Sequence, residues 1–251
     1  MAFYDLNKQQ RQALVEKINE NILSDILKDK DDHILDYFSD EDTYIRKTAY
    51  LAIGRIYKAH KGLQKNMLHF LNSQIGSKNE KVRQTVINAA GEIGMFDFSA
   101  IEQLMKTGLF DEHHSVRNAV IGSIKKMSEK NPKPTLAFAK KFLHHEDKEI
   151  RREICHGIEL RGRTHPQEVL PLLKELQYDK TARIRKTLVH VLGQIAYKKG
   201  CLEIVIAELK NWKNKELVAE AIEEIIDVHD RYKNFSEKTQ EEAIDYIEKN
   251  Y

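Results

Sequence analysis

The chemistry open to this 251-residue chain lies mainly in its arginines and lysines. Between residues 148 and 200 it carries 12 Lys/Arg against 6 Asp/Glu. Six of these cations stand out: Arg152, Arg161, Arg163, Lys180, Arg183 and Lys186. Guanidinium and ammonium groups gathered in this way neutralise phosphates, and binding of that kind weakens steeply with salt. Arg161-Gly162-Arg163-Thr164-His165 reads as a basic loop between helices. The same charges also suit an ordinary solvated helical face. Glu153, beside Arg151 and Arg152, is the one acidic candidate for catalysis, because a carboxylate in a basic zone can stabilise positive charge that develops in a reaction. Its other reading is a helix-surface glutamate paired with a nearby arginine.

Other chemistries are poorly supplied. The chain has 11 histidines, with adjacent pairs at His113-His114 and His144-His145. Neither pair has the i,i+4 spacing that puts two imidazoles on one helical face, so no metal site is expected. Cys155 precedes His156, but neighbouring helix positions point in different directions. A packed thiol and a polar histidine are expected there. No glycine-rich phosphate loop and no nucleophile elbow occurs, so no cofactor is expected.

The elements that must position these side chains repeat. A β-branched residue followed by arginine recurs at Ile45-Arg46, Val82-Arg83, Val116-Arg117, Ile150-Arg151 and Ile184-Arg185. The arginines are spaced by 37, 34, 34 and 34 residues, and a sixth, decayed copy falls at Leu217-Val218. A fixed period of this size is the mark of a helical solenoid. Acidic or turn-forming residues precede each copy and suit helix N-caps. Small residues follow within the helix, among them Gly54, Gly91, Gly122, Gly157 and Gly193, and suggest close approach of neighbouring helices. The spacing predicts arginine-bearing helices over 43–59, 80–95, 114–129, 148–161, 182–198 and 215–229. Alternate helices are predicted over 64–75, 99–108, 135–143, 167–176 and 201–211. A first helix is predicted over 6–23, a short one over 33–39, and a capped final one opening at Ser236. Tyr44, Tyr50, Tyr57, Phe138 and Phe142 fall at helical spacing and read as packing.

This pattern of acidic loop, Val/Ile-Arg and apolar stripe with a small residue resembles the HEAT repeat, over roughly residues 30–230. The resemblance implies an all-α, right-handed superhelix of about six to seven helical hairpins. Residues 1–251 would form a single solenoid domain, with a helical cap over 1–30, repeats over 31–230 and a capping helix over 236–250. It also implies that Arg46, Arg83, Arg117, Arg151 and Arg185 form a ladder with aspartates of neighbouring repeats. A second resemblance rests on Glu149-Ile150-Arg151-Arg152-Glu153, the loop 161–166, Val169-Leu170-Pro171-Leu172-Leu173 and Ile184-Arg185. These residues are similar to the HEAT-like bacterial alkylpurine DNA glycosylases, which would imply a basic concave face on duplex DNA and removal of alkylated bases. HEAT-like metal hydroxylases use several His-Glu pairs, whereas this chain has one, His145-Glu146.

Charge is unevenly distributed along the chain. Residues 1–45 carry 5 Lys/Arg and 11 Asp/Glu, residues 46–147 carry 17 and 9, and residues 201–251 carry 7 and 13. A basic middle between acidic ends points to an acidic partner, nucleic acid before an acidic protein segment. The alternatives are base excision of the glycosylase type and a protein-interaction scaffold without nucleic-acid binding. No apolar run is long enough to span a membrane, and Met1-Ala2-Phe3-Tyr4-Asp5 does not open a secretion signal. The two cysteines suit a reducing, cytoplasmic setting. A monomer is expected.

Overall fold

The computed structural model describes residues 2–251. After a short turn at Phe3–Asp5, the helices are α1 (Lys8–Lys28), α2 (Asp32–Ser39), α3 (Thr43–Ala59), α4 (Gln64–Gln74), α5 (Glu80–Gly94), α6 (Glu102–Leu109) and α7 (His114–Lys130). There follow α8 (Pro132–Phe142), α9 (Lys148–Gly157), α10 (Glu159–Gly162), α11 (Pro166–Lys174), α12 (Ala182–Ala196), α13 (Leu202–Leu209), α14 (Lys215–Arg231) and α15 (Gln240–Asn250). Among the described residues there is no strand. The fold is an all-α helical-repeat solenoid of HEAT type.

Local chemistry sets the helix ends. Free N–H groups in the first turn need an acceptor, and the loops supply one at the same place in successive copies. Asp42, Asn79 and Asp147 accept from the backbone N–H two residues on, at 2.7, 2.9 and 2.8 Å. Helix α1 starts with a reciprocal cap between Asn7 and Gln10, and it runs five residues past its predicted end, to Lys28. It stops where Asp29 takes up a left-handed conformation, φ 53°. The buried Asp25 carboxylate then accepts from the N–H groups of His33 and Ile34 at 2.9 and 3.2 Å, so α1 caps α2. Pro132 and Pro166 each open a helix, where a missing N–H costs nothing. The final helix starts later than predicted: its cap is Thr239, paired reciprocally with Glu242, and not Ser236.

Contacts divide the chain into two compact units, residues up to Asn131 and Pro132–Tyr251. Each unit has its own core. In the first, α5 packs between α3 and α7; Val86, Ile87 and Ile93 of α5 are buried, as are Ile53 of α3 and Val120 and Ile124 of α7. In the second, α12 packs between α9 and α14 and buries Leu188, Val191 and Ile195 with Ile154, Val218 and Ile225. Each such side chain contributes about 2 kcal/mol on burial. Close approach is real at Gly54, where a Cβ would lie 2.6 Å from the Glu92 Cβ. It is absent at Gly122, where a Cβ would meet nothing within 4 Å.

The repeated arginines clamp the loops. Nη1 of Arg46, Arg83, Arg117 and Arg151 donates to two backbone carbonyls five and six residues upstream, for example His145 O and Glu146 O, both at 2.8 Å from Arg151. Arg83 also forks onto Asp111 at 2.7 and 3.0 Å, and Arg151 onto Asp179 at 2.6 and 3.2 Å. The ladder is not uniform. Among the described residues Arg46 forks onto no carboxylate: Ser77 stands where Asp111 and Asp179 stand in later loops. At the corresponding place in the loop after Arg117 stands His145. Arg185 turns to Glu220 on α14, at 2.8 and 2.9 Å.

Candidate functional site

Helices α9 and α12 are one repeat apart, so equal positions in the two lie side by side. One residue after the clamping arginine stand Arg152 and Lys186; five residues after it stand His156 and His190. With Arg183 and Thr187 these side chains line an open groove of about 250 Å³. Glu149 ties its two edges together: its carboxylate accepts from Arg152 Nε at 2.9 Å and from Arg183 Nη1 at 2.9 Å. The Arg183 side chain remains 62% exposed, so this pair is a surface ion pair of modest strength. Lys186 and Lys180, just before α12, are exposed and enter no ion pair among the described residues.

Two of the predicted contact arginines are not on this face. Arg161 forks onto Glu168 at 2.9 and 2.6 Å, with its side chain 11% exposed. That hydrogen bonding holds the Glu168 carboxyl below its usual range. Arg163 turns inward, where it donates to Glu159 and, at 2.6 Å, to Gln194 Oε1, and stacks over Tyr197. The loop 161–165 therefore presents fewer free cations than its sequence suggests, because the carboxylates that take them lie within seven residues. Glu153 is not a surface residue either. It is 1% exposed and sits behind Arg152, 3.6 Å from Nη2.

Below the groove lies a polar cluster that apolar packing does not require. Helix α9 ends at Gly157 and α10 begins at Glu159. Eight residues after the clamping arginine, where Gly54, Gly91 and Gly193 stand in other copies, this copy has Glu159. Its carboxylate is 2% exposed and takes His156 Nε2 at 3.1 Å on one oxygen and Arg163 on the other. His190 reaches the same place from α12: ligand-capable atoms of His156, Glu159 and His190 all lie within 4.8 Å of one another. The His190 Nδ1 is 3.8 Å from Glu224 Oε1 on α14. Gln194, one turn after His190, is 4% exposed and its Nε2 has no hydrogen-bond partner. Ligand spacing within one segment does not reveal this cluster, because its members come from two repeats. The signal was present: His156 and His190 are separated by one repeat step.

The thiols are inert. Burial pushes Cys155 far above its ordinary range, and Cys201 up to about 11. Neither thiol is poised as a nucleophile. The first unit has its own groove at the matching place, about 310 Å³, lined by Tyr44, Lys47, Tyr50, Gln84, Thr85 and Asn88. There Lys126 lies 5.2 Å from the centre of the Tyr50 ring, and burial raises the Tyr50 hydroxyl above its usual value. Of the aromatics predicted as packing, Tyr57 and Phe138 are buried, whereas Tyr44 is 42% exposed.

No protein-family model matches this chain, and no curated protein does. Solved structures do. AlkD2 from Streptococcus mutans aligns with a TM-score of 0.57 at 17% identity, over 81% of this chain and 97% of that one. The protein smu.31 from Streptococcus mutans UA159 aligns at 0.48 with 20% identity, over 83% and 97%. YibA of Escherichia coli aligns at 0.47 with 18% identity, over 90% and 77%. The first of these supports the HEAT-like fold; at such identities the likeness is one of fold alone.

Proposed function

We propose that the α9–α12 face of the second unit is a binding surface for a phosphate-bearing polyanion, with duplex DNA as the partner. The observation that carries this reading is the row formed by Arg152, Arg183 and Lys186 along an open groove; Lys180, shortly before α12 in the chain, is exposed as well. Arg183 and Lys186 are presented to solvent on a rigid helix, which favours contact with a backbone rather than reading of bases. Glu149 and Glu153 offset part of this charge, so the face alone predicts weak, salt-sensitive affinity.

Base excision through Glu153 has less support. A base would have to displace Arg152 to reach a carboxylate that is 1% exposed. An acidic protein segment meets the same cations and is separated from DNA by experiment. A labelled duplex titrated by fluorescence anisotropy at two salt concentrations is expected to show saturable binding that weakens sharply with salt. Absence of binding at low salt would sink the nucleic-acid reading and leave the acidic protein segment.

A further inference from the structure

We propose that His156, Glu159 and His190 bind a divalent transition-metal ion, with Zn²⁺ as the preferred occupant. The inference does not depend on nucleic-acid binding. Two imidazoles and one carboxylate form the donor set of three-ligand zinc sites that keep a fourth position open. Around a tetrahedral ion with ligand bonds of about 2.1 Å, donor atoms lie about 3.4 Å apart. Here all three lie within 4.8 Å, and His156 Nε2 and Glu159 Oε2 are already 3.1 Å apart.

The surroundings orient these donors. Arg163 grips the second oxygen of Glu159 and is itself held by Gln194, which fixes the carboxylate in the way outer-shell partners fix metal ligands. Glu224, 3.8 Å from His190 Nδ1, is placed to orient that ring. The unpartnered Nε2 of the buried Gln194 marks a polar interior still short of an acceptor. The open side faces the groove, since the His156 and His190 side chains are 31% and 43% exposed. A water or an anion can complete the coordination there. Arg152 and Lys186, at the groove rim, oppose a bare cation but favour an anionic fourth ligand. Soft or geometry-demanding ions that bind imidazole are therefore expected to outcompete Mg²⁺ and Ca²⁺, which take oxygen ligands.

The test is a titration of the full chain with Co²⁺ and then Zn²⁺, without nucleic acid. Co²⁺ is expected to give the visible absorption of a four-coordinate site at one equivalent, and Zn²⁺ to displace it. His190→Ala should weaken Zn²⁺ binding at least about tenfold in competition with a chromophoric chelator, a scale set by loss of even an outer partner. His190 is half exposed, so this variant keeps the fold; Glu159→Gln, at a buried residue, serves as a second variant read alongside helical circular dichroism. His113→Ala should leave binding unchanged. No saturable Co²⁺ spectrum, or equal affinity in wild type and a folded His156→Ala/His190→Ala variant, overturns the proposal. Either result leaves the DNA titration unaffected, so the two readings fail separately.

Discussion

The grooves of the two units occupy the same register and carry different chemistry. In the first, Lys47 and Gln84 stand one residue after the clamping arginine, and Asn88 stands five after it, beside Tyr44 and Tyr50. In the second, those positions hold Arg152, Lys186, His156 and His190. Helix spacing, caps and apolar contacts are shared. The lesson is that the repeat fixes where a side chain points and leaves its chemistry free, so a function carried by a groove must be argued groove by groove.

The largest expected effect concerns what the units share. Arg83 and Arg151 each fork onto an aspartate whose side chain is at most 9% exposed. Arg83→Ala and Arg151→Ala are each expected to cost about 3 kcal/mol in urea unfolding, because a carboxylate is left with little water. Arg185, whose glutamate partners are exposed, is expected to matter much less. Equal losses at all three would break the distinction between buried forks and surface pairs.

The next effect separates the grooves. Arg183→Glu with Lys186→Glu is expected to lower duplex affinity more than tenfold at low salt, and to reduce the salt slope by about one for each lost phosphate contact. Lys47→Glu in the first groove is expected to change it little. If Lys47→Glu has the larger effect in the anisotropy titration, the binding face belongs to the first unit.

A smaller effect follows from pH and should appear alike in both units. Burial alone would raise the Asp111 and Asp179 carboxyls; the arginine fork and the backbone N–H of His113 or Thr181 outweigh it and hold both below the usual range. A depressed folded-state value means stability is present above the unfolded carboxyl pKa, about 3.9, and is lost as pH falls below it. Asp111→Asn should flatten the acid limb of a stability–pH curve. An unchanged limb in that variant would show that other carboxyls dominate acid unfolding.

The smallest effect tests helix packing. Gly122→Ala is expected to stabilise by up to about 1 kcal/mol, since the added methyl meets open space and alanine favours the helix. Gly54→Ala is expected to destabilise, because its methyl would press on the Glu92 Cβ. A thermal melt that moved both in one direction would contradict this.

Much of the fold was legible in the chain because a 34-residue step and its capping loops state the same thing many times. The site was less legible, for identifiable reasons. Arg161 and Arg163 read as free cations when cations are counted without asking which carboxylate a short turn returns to them. Glu159 fell outside the basic inventory, and its burial depends on a helix break after Gly157 that periodicity does not announce. The histidine pair needed the repeat step applied to chemistry as well as to core positions. Arg46 without an aspartate follows from Ser77, a single substitution in the register.

The double-carbonyl clamp made by Arg46, Arg83, Arg117 and Arg151 closes within six residues of chain. It needs nothing from the repeat that follows. During synthesis each loop can therefore reach its final shape before the next hairpin has left the ribosome, and the docking surface offered to that hairpin is already set when it arrives.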